Sequence, residues 1–258
     1  MNRHTSLIAL LAVFLLLPAT PEFAHAKTGA PVCTLTPQAF APLQKSRRES
    51  PDAVREELET RKALLLSTLD CLDEEVKGQR TELVRTRTTS PRMQSVRNNL
   101  LLALEEAARY YSSWRESIRD AGLRAAKDAA ANIREWRTNT FLPQHARIRA
   151  FISWARNEEF LTTASKRLEE LERGVQVLAL VDHAETKSLY ERAEGNFRAA
   201  QDFHSRAEHA LVSGLDPSPS LKLSLEALAA TYTSFIELSN TINALLPPRE
   251  REKVTPPR

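Results

Sequence analysis

Apolar residues recur along most of this chain at steps of three and four, with polar residues between them. From 51 to 87 the recurring positions are Leu58, Leu65, Leu69, Leu72, Val76 and Leu83. From 91 to 139 they are Met93, Leu100, Leu104, Ala107, Tyr111, Trp114, Ile118, Ala121 and Ala125. A third run, 143 to 181, carries Ala164, Leu168, Leu171, Val175 and Leu178. A fourth, 183 to 212, carries Tyr190, Ala193, Phe197, Ala200, Ala207 and Leu211. The last, 219 to 246, has Leu221, Leu225, Leu228, Tyr232, Phe235, Ile242 and Leu246. Spacing near 3.5 residues draws a narrow apolar strip along one side of a helix, and such a strip is buried only by packing lengthwise against another. No stretch alternates with the period of two that a strand requires. The pattern predicts an all-α fold: an elongated antiparallel bundle of about five long helices with coiled-coil-like seams, occupying 51–246.

The breaks between runs carry their own chemistry. Ser50-Pro51, Ser90-Pro91 and Ser218-Pro219 each precede a run. A serine at the N-cap accepts an orphan N–H, and a proline in the first turn lacks the N–H that would go unpaired. Asp182 and Glu185 have the spacing of a capping box. Pro143 interrupts the periodicity and predicts a further helix start. The second run would have to stay helical through Gly122 or bend there.

The N-terminus reads differently. Arg3 precedes the apolar run Leu7 to Leu17, Pro18 ends it, and Ala24-His25-Ala26 places small residues where a signal peptidase cuts. That is the plan of a secretory signal peptide. The run is too short to span a bilayer, which takes about 20 residues. Residues 1–26 are therefore expected to be removed, giving an extracytoplasmic protein without a transmembrane span, periplasmic if bacterial and otherwise secreted. A Pro-containing leader, 27–50, precedes the bundle, and a charged, Pro-rich tail, 247–258, is expected to be disordered.

In an oxidising compartment the two cysteines, Cys33 and Cys71, are expected to form a disulfide. It would tie the leader to the first helix and close a loop of about 38 residues, a gain of roughly 4 kcal/mol in the chain-entropy account. Composition fits a helical protein: six glycines in 258 residues and 27% charged side chains. A formal net charge of +3 is too small for a nucleic-acid binder.

No catalytic, metal or phosphate-binding signature is present, so neither an enzyme nor a cofactor is expected. His204 and Glu208 share a helix face, but one pair is too few ligands for a metal. Two features stand out. Lys77, Arg80, Arg85, Arg87, Arg92 and Arg97 gather around the turn between the first two runs, a candidate contact for an anionic surface or an acidic protein. Aromatic residues crowd 110–160, and Tyr111, Trp114, Trp136, Phe151 and Trp154 could line a pocket between helices. A thick aromatic core is the plainer reading of the same residues, although Trp154 lies off the stripe that holds Phe151. The function expected from this is a non-enzymatic extracytoplasmic interaction, adaptor or scaffold protein acting through helix faces and the basic corner. It could act on an unknown protein partner or as a homo-oligomer. The alternative is a small-molecule-binding bundle, sensor or carrier, using the aromatic pocket.

Overall fold

The computed structural model describes residues 50–246; the expected signal peptide, Cys33 and the leader up to residue 49, and the tail from residue 247 lie outside them. The described residues are helical, without strands: α1 (Pro51–Arg85), α2 (Pro91–Arg119), α3 (Leu123–Trp136), a π-helical segment (Arg137–Phe141), α4 (Leu142–Val177), α5 (Ala184–Ser213) and α6 (Ser218–Leu245). The segment from α3 through α4 is one unbroken run, so there are five helical runs, as the periodicity predicts.

Two of the serine caps form as expected. Ser50 Oγ accepts the Ala53 N–H at 3.2 Å, and Ser90 Oγ accepts the Met93 N–H at 3.4 Å. The other starts shift by a residue or two. His183, not Asp182, caps α5, its Nδ1 accepting the Thr186 N–H at 3.4 Å. Asp216 takes the cap role expected of Ser218, its Oδ1 accepting the Ser218 N–H at 3.0 Å.

In the middle of the chain one open alternative is resolved, and the Ala125 register and the Pro143 start need correction. The second run does break, at Asp120–Gly122, and the buried register then moves from Ala125, which is exposed, to Ala126, Ala129 and Ile133. Pro143 starts no new helix. The preceding turns widen into a π-helix in which the Leu142 N–H reaches back to the Arg137 carbonyl. An α-helical path would drive the proline ring into the carbonyl four residues back, and the wider turn relieves that clash.

The chain divides into two compact units. Within the described residues the first comprises 50–158 and 204–222. Here α1 and α2 run antiparallel: Arg80 pairs with Glu105, and Arg115 reaches back to Asp70 and Asp73. Leu69, Leu72, Val76 and Leu83 of α1 meet Met93, Leu100, Leu104 and Tyr111 of α2, with Ile148, Phe151, Trp154, Ala207 and Leu211 completing the core.

The second unit comprises 159–203 and 223–246 of the described residues. Leu161 and Ala164 of α4, Ala193, Phe197 and Ala200 of α5, and Leu228 and Phe235 of α6 form its main core. Small residues let α5 and α6 approach closely enough for Ser224 Oγ to donate to the Ala200 carbonyl at 2.7 Å. Arg192 and Glu237 pair across the same two helices. Within the described residues no helix is long and apolar enough to cross a membrane.

Candidate functional site

The turn between α1 and α2 sorts the six basic residues into two sets. Lys77 pairs with Glu74 one turn back on α1 and Arg80 with Glu105 of α2. Arg97 is half-buried and donates to the Thr86 carbonyl at 3.1 Å, covering an orphan acceptor just past the end of α1. Arg85, Arg87 and Arg92 remain exposed and make no ion pair within the described residues. The carboxylates of this end have partners. Arg156 pairs with Glu82 at 2.8 Å, Thr89 Oγ1 donates to Glu158 and Ser90 Oγ donates to Glu208. The corner is thus three free arginines set among engaged carboxylates, a smaller basic patch than six like charges would make.

The aromatic residues divide as well. Tyr111 is fully buried and meets Trp136 edge-on at 5.4 Å and Phe141 at 6.0 Å, while Tyr110 stacks on Trp136 at 4.1 Å. Trp114 and Trp136 are half-buried, and Trp114 meets Tyr110 edge-on at 6.2 Å. Phe151 and Trp154 belong to a separate contact, with Trp154 only 1% exposed and stacked on His204 at 4.9 Å. Trp154 lies off the Phe151 stripe yet is covered, because α5 packs on that second side of α4 and brings His204 over the indole. Tyr111, Phe141, Phe151 and Trp154 belong to the core of the first unit, and Tyr110, Trp114 and Trp136 pack against it.

A buried polar cluster is the feature the sequence reading missed. Glu75 lies on the inner face of α1 with its side chain fully covered, its Oε2 2.8 Å from Arg137 Nη1 and its Oε1 3.5 Å from His145 Nδ1. The contact is an ion pair without aligned hydrogen bonds, since neither carboxylate oxygen receives an N–H at a good angle. The π-helical turn presents Arg137 to Glu75 and also stacks its guanidinium over the Phe141 ring, 5.4 Å from the centroid. Burial pushes the Tyr111 hydroxyl up to about 12, against the pull of the adjacent Arg137, so it stays protonated. Burial also lowers His145; Glu75 opposes that shift while Arg149 and Arg137 add to it. One turn along α1, Gln79 is 4% exposed, and neither its amide nitrogen nor its oxygen has a partner among the described residues. With Glu75 spent as the counter-ion of Arg137 and shut from solvent, the cluster ties α1, the π segment and α4 together rather than offering a reacting group.

His204 and Glu208, the pair on one face of α5, turn to different partners. The Asn157 side-chain amide lies 3.3 Å from His204 Nδ1. Burial lowers His204 to about 4, so it is neutral at pH 7. Among the described residues no three His, Cys, Asp or Glu side chains converge as metal ligands. Cys71 is half-buried on α1, and its expected partner Cys33 lies outside the described residues.

No family model matches the chain, and neither curated proteins nor solved structures give a match.

Proposed function

We propose that this protein is a non-enzymatic, extracytoplasmic helical interaction module, an adaptor or scaffold that docks an anionic partner surface through its α1–α2 corner. The observation that supports it is the division among the basic residues. Arg85, Arg87 and Arg92 lie within eight residues around one turn, exposed and without an ion pair among the described residues, while Lys77, Arg80 and Arg97 of the same corner are engaged. Three guanidiniums on one turn offer forked donors to carboxylates or phosphates, at an energy that salt screening would reduce. The reading includes cleavage after Ala26 and a Cys33–Cys71 disulfide holding the leader to α1 close to the same unit.

The test is affinity capture from extracytoplasmic extract with the mature protein and with Arg85→Glu/Arg87→Glu/Arg92→Glu. A partner retained by the parent, released by salt and lost from the variant is the expected result. Equal capture by both proteins, with helicity intact in both, would overturn the docking assignment.

A further inference from the structure

α1 carries a second seam beside the one that faces the core. Ala53, Glu57, Thr60, Leu64, Ser67 and Cys71 follow one another at alternating steps of four and three, about 100° round the helix from Leu65 and Leu72 of the core side. Apart from Glu57 the seam is uncharged, and that carboxylate is buried and paired with Arg61 and with Lys127 of α3. Ala53, Thr60, Leu64 and Cys71 are half-buried, and among the described residues Leu64 belongs to none of the hydrophobic cores. A heptad seam of small and apolar residues gives a further segment a place to lie lengthwise.

The leader has the length and the composition of such a segment. It enters α1 at Ser50, and Cys71 lies about 32 Å farther along the helix at 1.5 Å per residue. A Cys33–Cys71 disulfide therefore requires residues 34–49 to cover that distance back along α1. From Thr34 to Gln44 the leader carries no charge, and Pro37 and Pro42 favour an extended course and lack N–H groups that would need partners. In polyproline geometry, at 3.1 Å per residue, residues 34–44 cover about 34 Å, close to the length of the seam. Every third residue then faces one way. Pro37, Phe40 and Leu43 recur at about 9 Å, against roughly 10.5 Å between seam positions seven apart.

We propose that the leader is a strap, pinned at Cys71 and lying along this seam, with Pro37 against Leu64, Phe40 between Thr60 and Ala53, and Leu43 at the start of α1. The strap occupies one face of α1, so a partner that docks through helix faces must use another. The strap rests on the disulfide reading above, and the two are read separately in the test.

The experiment is brief chymotrypsin digestion of the mature chain, oxidised, beside Cys33→Ser and Thr60→Glu. Cleavage after Phe40 is followed by mass spectrometry of reduced samples, and a non-reducing peptide map reports the disulfide. We expect the Phe40–Ala41 bond of the parent to be cut roughly tenfold more slowly than in Cys33→Ser, because a docked segment must open before a protease can take it. Thr60→Glu places a charge beneath the strap and should be cut nearly as fast as Cys33→Ser, with its disulfide and helicity intact. Ser67→Glu, at an exposed position of the same seam, serves if Thr60→Glu does not fold. Free thiols in the oxidised parent would overturn the disulfide reading and the strap with it. Equal cutting of parent and Cys33→Ser, with the disulfide present, would overturn the strap alone, as would full protection in both seam variants. Equal cutting together with a dimer that Thr60→Glu dissociates would give the seam to a second copy of the chain instead.

Discussion

Replacing Gln79 by methionine should make the protein more stable. The side chain is 4% exposed and stands in the α1 seam between Val76 and Leu83, with neither end of its amide hydrogen-bonded. A buried polar group left unpaired costs about 1–3 kcal/mol, and methionine has nearly the same length and volume with no such demand. The gain should be about 2 kcal/mol, seen as a melting temperature raised by roughly 4–10 °C. Denaturant unfolding followed by tryptophan emission is the suitable assay, because Trp114, Trp136 and Trp154 all lie in the unit that contains Gln79. The midpoint should rise with the slope unchanged, which marks a change in stability rather than in the surface exposed. An unchanged or lowered midpoint would refute the reasoning and show that the amide finds partners in solution, such as a bound water.

Glu75→Gln should act in the opposite sense, lowering stability by about 3–5 kcal/mol because Arg137 is left buried without its counter-ion; restoration of most of that loss in Glu75→Leu/Arg137→Met, measured by the same unfolding assay, would complete the argument. Gly214→Ala should cost about 1 kcal/mol in thermal melting, since the residue ends α5 at φ +76 and the nearest atom to an added Cβ is Arg147 Nη2 at an unstrained 3.9 Å. A neutral result there would mean that the turn relaxes out of the left-handed region.

The helices and their buried sides were legible because apolar spacing records which face of a helix is covered, and that face needs no knowledge of its partner. Leu69, Leu72, Val76 and Leu83, or Ala193, Phe197 and Ala200, are buried where the spacing puts them. The polar interior was not legible from residue type alone, because glutamate and glutamine ordinarily belong outside. Position alone carried a signal: the steps 72, 76 and 83 leave a gap that 79 fills, so the seam itself marks Gln79 as interior. Glu75 adjoins the same seam, but its partners Arg137 and His145 flank a proline read as a helix start, and only the π turn brings them to it. The division of the basic corner likewise depends on neighbours distant in sequence, as Arg156 on Glu82 illustrates.

The π-helical turn also bears on how this chain tolerates changes in length. A π segment holds one residue more than the α-helical path it replaces, so Arg137–Phe141 acts as a phase adjuster in the run from α3 to α4. Deleting one residue there would close the wide turn into an α-helical one and leave the faces of α3 and α4 close to their present register. Ile148, Phe151 and Trp154 would keep facing the core, but Pro143 would meet the carbonyl it now avoids. A chain that loses one residue here must therefore also lose the proline, so a one-residue gap within 137–141 paired with replacement of Pro143 is the signature to seek in any relative that keeps this interior.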